Sequence, residues 1–289
     1  MHIIDSHQHF WKYDAVRDAW ITEEMAVLQR DFLPSELAGI YQEEGIAGCV
    51  AVQADQSLYE TLFLVGLAAE HDFIRGVVGW VDFRADNIHE ELEKMVSFPV
   101  VKGFRHIIQA ENADVFLQNE KFCQGIGLLA QFDFTYDLLV YARQLPAARR
   151  FVHQFPHQAF VLDHGGKPDI RSIIASGGKV FEHEQFICWK NEIDLLAQFP
   201  NVCCKLSGFI TEADWGCWTK EDITPFVDVL LEAFGPSRLM VGSDWPVCLL
   251  AAKAEEHVLY PVSAWVEQLS INEQQQIYSG TATSFYRLY

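Results

Sequence analysis

The chain has 289 residues, 50% of them hydrophobic and 21% charged, a composition that fits a folded globular protein and excludes a disordered one. Forty acidic against 21 basic residues give a formal net charge of −19, a surface that repels phosphate backbones and anionic lipid and so argues against nucleic-acid or membrane-surface binding. The apolar runs fall well short of the roughly 18 residues of a membrane span. The opening MHIIDSHQHF carries no secretory signature, and of seven cysteines without a Cys-x-x-Cys pair several lie in strand-like runs such as Gly48–Val52 and Val202–Cys204, where they read as small buried hydrophobes in a reducing, cytoplasmic setting.

Short apolar runs alternate with longer amphipathic stretches from end to end. No linker, charge block or low-complexity segment divides them, so residues 1–289 read as one domain. The first strand candidate is His2–His9. A helix opens at Pro34-Ser35-Glu36-Leu37, with Leu37, Ile40 and Tyr41 on one face and Gly45 placed as its C-terminal cap. Strand candidates follow at Ala47–Ala54, Arg75–Asp82, Val100–Ile107, Phe134–Val140, Ala159–His164 and Asn201–Ser207. A helix is predicted over Thr224–Phe234, with Phe226, Val229, Leu230 and Ala233 on one face and Gly235-Pro236 as its stop. The last strand candidate is Leu239–Asp244. Most of these strands are unbroken apolar runs, the pattern of parallel strands buried on both faces. Eight such strands alternating with helices predict an α/β fold of the (β/α)8 TIM-barrel type. A doubly wound open sheet is the alternative, but its Gly-rich turn is missing after the first strand.

In a barrel, chemistry belongs at the C-terminal ends of the strands. His7 and His9, two apart on a strand, point to one face, where they can hold one metal or polarise one carbonyl oxygen. The competing reading is a pair of satisfied core histidines. Asp244 ends the last strand as either a helix cap or a general base, and the Trp245-Pro246 wall beside it is expected to raise its proton affinity by desolvation. His164, ahead of Gly165-Gly166, is a site residue or a turn histidine. Arg105 and His106 are neighbours on one strand, so at most one faces inward without a bulge. Tyr136 and Lys205 face the mouth or belong to the core. Trp11, Trp215 and Trp218 stack on a sugar ring or anchor loops. The absence of a Gly-x-Ser-x-Gly elbow and of a phosphate-binding Gly-x-x-x-x-Gly-Lys weighs against serine-nucleophile and nucleotide-hydrolysing enzymes.

The His-x-His of the first strand, the later His164 and Asp244 on the last strand together resemble the amidohydrolase superfamily. The segments IDSHQHFW (4–11), VGWVD (78–82), GFRH (103–106), TYDL (135–138), DHGGKP (163–168), KLSG (205–208) and GSDWP (242–246) resemble amidohydrolase family 2 in particular. Within it, the sequence is similar to sugar lactonases of the L-fuconolactonase and L-rhamnonolactonase type. That resemblance implies a hydrolase in which Asp244 deprotonates a water that attacks a lactone carbonyl, with His7, His9 and His164 around the carbonyl oxygen. It also implies that Gln53, Arg105 or His106, Tyr136 and Trp245 orient the sugar. Lys102 is not an evident metal-bridging lysine, and Tyr136-Asp137 stands where metal-dependent relatives carry a His, which argues against a binuclear centre. One divalent ion such as zinc on His7, His9, His164 and Asp244 stays open beside a metal-free site. The expected partner is a small sugar lactone. Metal-dependent amide hydrolysis, decarboxylation and non-catalytic binding of a sugar acid are the alternatives.

Overall fold

The computed structural model describes residues 2–252, 258–259 and 262–288. Its eight strands run in chain order, β1 (Ile3–Gln8), β2 (Ile46–Val52), β3 (Ile74–Gly79), β4 (Val101–Ile107), β5 (Thr135–Leu139), β6 (Phe160–Leu162), β7 (Val202–Leu206) and β8 (Leu239–Val241), each parallel to the next. The end strands meet through a parallel Gln8–Trp245 bridge, with Asp244 N–H donating to His7 O at 2.8 Å and His9 N–H to Trp245 O at 2.7 Å. The expected barrel is therefore present, helices outside. Except for β4, which ends at Ile107 as expected, the strands stop short of the predicted ends, their last residues lying beyond the ladder. His164 and Asp244 sit there with φ of 54° and 57°, left-handed values that cost a non-glycine residue energy and cluster at functional sites.

Local signals account for the helix ends. Pro34 opens the helix Pro34–Glu44, and Gly45 at φ 69° closes it. The helix predicted over Thr224–Phe234 begins at Lys220 instead, because Thr219 and Asp222 form a capping box that fixes a turn ahead of Pro225. All seven cysteines are free thiols. No described helix is long and apolar enough to cross a membrane.

The barrel interior is layered. At the bottom Ile4, Val50, Val78, Val161 and Met240 pack with Ala282 and Tyr286 of the helix Thr281–Tyr286, which plugs the lower end. Above them lies a buried polar layer. Lys205 Nζ meets Asp137 Oδ2 at 2.5 Å and Asp163 Oδ1 at 2.9 Å, and the Tyr286 hydroxyl donates to Asp137 Oδ2 at 2.8 Å. Lys205 is thus an internal ion-pair partner, not a mouth residue.

The β2 loop that borders the barrel mouth is braced by Glu60, on the helix Leu58–Glu70, whose Oε1 accepts the Ala54 N–H at 3.1 Å. Burial pushes this carboxyl from the ordinary 4.5 up to about 7, against the Ala54 N–H and the Arg17 charge. A carboxyl raised in the folded state binds its proton more tightly there, so stability falls as pH rises through that interval. Glu60→Gln keeps an acceptor for Ala54 and removes the ionisation. The variant is expected to gain roughly 2–3 kcal/mol over wild type between pH 4.5 and pH 8. Urea unfolding at the two ends of that range checks it, and equal slopes for both proteins would refute the assignment.

Candidate active site

The strand ends enclose a cavity of about 550 Å³, with His9, His164, Arg105 and Asp244 in its lining. Asp244 Oδ1 lies 3.4 Å from His9 Nε2, 3.8 Å from His7 Nε2 and 3.9 Å from His164 Nε2. His7 Nε2 and His9 Nε2 are 3.2 Å apart, as expected for two side chains on one face. The four residues expected to carry the chemistry are brought to one point.

Each is held from behind. His9 Nδ1 bonds Val52 O at 2.7 Å, so in the neutral ring Nε2 presents a lone pair. His7 Nδ1 lies 3.2 Å from Lys205 Nζ and 3.3 Å from Asp163 Oδ1. His164 Nδ1 shares a 2.8 Å hydrogen bond with Ser207 Oγ. Gly208 follows at φ 67°, and a Cβ there would sit 2.5 Å from His164 Nδ1, so the KLSG segment supplies both the hydroxyl and the space. Asp5 ties β1 to the last strand end, accepting Ser243 N–H at 2.9 Å, Ser243 Oγ at 2.5 Å and Tyr41 OH at 2.7 Å. That brace fixes the residue next to Asp244.

The electrostatics reverse one expectation. Burial works to raise the Asp244 carboxyl, but the surrounding imidazoles, His164 first and then His9 and His7, together hold it below the ordinary carboxylate range. Trp245 is not the controlling neighbour, because it packs edge-on against Phe10 and Phe32. Burial lowers His164 to about 4 and His7 well below the usual histidine value. At neutral pH the Asp244 carboxylate therefore faces His7 and His164 as neutral imidazoles.

Of the expected substrate-binding residues, only Arg105 lines the cavity. Arg105 Nη1 donates to Asp163 Oδ2 at 3.0 Å and Nη2 donates to Gln53 O. Gln53 is corrected to a support: it is fully buried, and its Nε2 donates to Arg105 O at 3.1 Å. His106 alternates to the opposite face from Arg105, stacks on Phe116 at 4.4 Å and accepts at Nδ1 from Trp80 Nε1. Tyr136 points into the helix layer among Phe83, Phe122, Phe151 and Phe160, while its neighbour Asp137 faces inward. Trp245 is buried in the aromatic cluster above.

Trp11 and Trp215 line the cavity, whereas Trp218 is buried with Nε1 donating to Ala251 O at 2.7 Å. Trp20, Tyr141, Lys167 and Glu212 also line it and were not singled out by sequence reasoning. Lys167 lies in the DHGGKP segment. Trp20 and Tyr141 sit in loops and Glu212 ends the one-turn helix Phe209–Glu212, segments too short or irregular for periodicity to mark them.

His7, His164 and Asp244 offer ligand atoms all within 4.8 Å of one another and all buried. With the His9 lone pair directed at the same carboxylate, acceptors converge here, a donor set that fits one divalent cation. His9 falls outside that three-residue group.

Residues 4–288 match the amidohydrolase family. The chain is 40% identical over 292 residues to an L-fucono-1,5-lactonase of Burkholderia multivorans, covering 99% of this chain and 96% of the relative. It is 31% identical to an L-fucono-1,5-lactonase of Burkholderia ambifaria over 99% of this chain and 95% of that one. A solved amidohydrolase from Burkholderia multivorans with bound zinc is 39% identical, with a TM-score of 0.91 and all of both chains covered. With strands, site and full-length matches in agreement, the chain belongs to the amidohydrolase family.

Proposed function

We propose that this chain, working as one unit over residues 1–289 in a reducing cytoplasmic compartment, hydrolyses L-fucono-1,5-lactone or a close aldonolactone to the open hydroxy acid. The observation that carries the reading is the Asp244 carboxylate at the cavity floor, 3.4–3.9 Å from three imidazole nitrogens. The full-length relatives named as lactonases supply the substrate class.

Asp244 takes a proton from water as the water oxygen bonds to the lactone carbonyl carbon. The tetrahedral oxyanion then collapses, the ring C–O bond breaks, and Asp244 returns the proton to the leaving alkoxide. His164, accepting the Ser207 hydroxyl at Nδ1, presents Nε2–H to the developing oxyanion, the kind of donor whose removal costs on the order of a hundredfold or more. His9 accepts from the attacking water at Nε2. His7, clasped by Asp163 and Lys205, keeps the cluster in register. Alternatively, a divalent ion held by His7, His164 and Asp244 would take the place of the His164 Nε2 proton and supply Lewis-acid charge for the carbonyl oxygen instead. Trp11 and Trp215 offer ring faces to the sugar, and Arg105 marks its polar edge.

Charge favours a neutral substrate. Among the described residues, the arginine and lysine of the lining are already paired, Arg105 with Asp163 at 3.0 Å and Lys167 with Glu212 at 2.8 Å. A substrate that already carried a carboxylate would first have to displace one of these partners, which a neutral lactone need not do. The test is acid release from a panel of aldonolactones, followed with a pH indicator on chelator-treated protein with and without zinc. Fast, stereoselective opening of L-fucono-1,5-lactone is expected. Silence across the panel under both conditions would overturn the reading.

A further inference from the structure

A second cavity, of about 530 Å³, adjoins the active-site cavity, and Tyr141, Lys167 and Glu212 belong to the walls of both. Lys167 Nζ and Glu212 Oε1 pair there at 2.8 Å, with side chains 17% and 18% exposed. The two partners are anchored differently. Lys167 has its backbone fixed, with φ at 47°, its N–H on His164 O at 2.9 Å and Pro168 next in sequence. Glu212 ends the short helix Phe209–Glu212, and its side chain borders open space on both sides.

Hydrolysis changes the charge of what the cavity holds. A neutral lactone becomes a carboxylate, released beside the Asp244 carboxylate. Arg105 is poorly placed to receive it, because it is 3% exposed and its two terminal nitrogens are taken by Asp163 and Gln53. The Lys167 ammonium has three donors and one carboxylate partner. Burial works against its charge, but Glu212 and Asp244 more than restore it.

We propose that Lys167 receives the carboxylate of the ring-opened acid and that Glu212, competing for the same ammonium, displaces it, so that the pair governs product release. This rests on the lactonase reading. With substrate bound the pair stays closed, since a neutral lactone brings no anion to separate it. After ring opening one carboxylate replaces another on Lys167, and no covalent bond changes. The return of Glu212 expels the acid.

The experiment measures competitive inhibition of lactone opening by L-fuconate in wild type, Lys167→Met and Glu212→Gln, each checked for folding by thermal melt. The ratio of the product Ki to the lactone KM is expected to rise roughly tenfold or more in Lys167→Met, as a charged hydrogen bond is lost. In Glu212→Gln it is expected to fall severalfold, because the ammonium no longer has a competing anion. A merely structural ion pair would move both variants the same way. Movement in the same direction, or a ratio unmoved in both, would overturn the proposal while lactone opening by wild type still stands. Failure of wild type to open any lactone would remove the lactonase reading and this one together.

Discussion

Asp244→Asn is expected to fold as wild type and to lose lactone hydrolysis by about a thousandfold, within the range that removal of a general base produces. The fold survives because Asn tolerates left-handed backbone, and Asp244 sits at φ 57° with its N–H on His7 O at 2.8 Å, a bond the substitution keeps. The chemistry does not survive, since an amide cannot take the proton of the attacking water or return one to the alkoxide. The effect belongs in kcat, because the carboxylate acts on water and the leaving group. Steady-state kinetics on L-fucono-1,5-lactone with matched thermal melts would decide it. Turnover within tenfold of wild type in a folded variant would remove Asp244 as the base.

The largest loss of stability is expected from Lys205→Met. Lys205, Asp137 and Asp163 are each 0% exposed, and the ammonium meets both carboxylates. Methionine fills much of the same space but leaves two buried carboxylates sharing Arg105 and the Tyr286 hydroxyl. Removing one partner of a buried ionic group costs about 3–5 kcal/mol. The pH dependence has a definite sign. Burial already pushes the Asp137 carboxyl up, against the pull of Lys205, and the substitution pushes it further. A carboxyl raised in the folded state penalises folding once it ionises, so the deficit is greatest near pH 8 and shrinks toward pH 5. Urea unfolding at both pH values checks size and sign. A deficit that grew on acidification would contradict this account of the layer.

The residues read most clearly from the sequence were those that interrupt apolar runs at strand ends. His7, His9, His164 and Asp244 meet within 3.9 Å because a parallel barrel delivers every strand end to one mouth. The phase of β5 was not legible. With both faces buried, alternation leaves no mark of which residue points inward, and Asp137 rather than Tyr136 occupies the interior. On β4 the same rule required that Arg105 and His106 part company without saying which turned in. The loops were less legible still. Trp215 and Trp218 are three residues apart in one segment, yet one borders the cavity and the other is an anchor. The pull of the imidazoles on Asp244 was hidden for a different reason: it depends on distances between strands that only closure of the barrel creates.

The polar layer joins residues far apart in sequence, His7 on β1 and Tyr286 on the helix Thr281–Tyr286. A chain emerging from the ribosome can pair its first seven strands long before the residue that caps Asp137 exists. Until then the lower end of the barrel stays open and its ionic centre lacks a hydroxyl. A chain interrupted ahead of Tyr286 retains every candidate active-site residue while lacking the plug. Such a chain opens more readily and reaches proteases sooner, so the loss of the helix Thr281–Tyr286 is felt in the survival of the barrel and not in the make-up of its mouth.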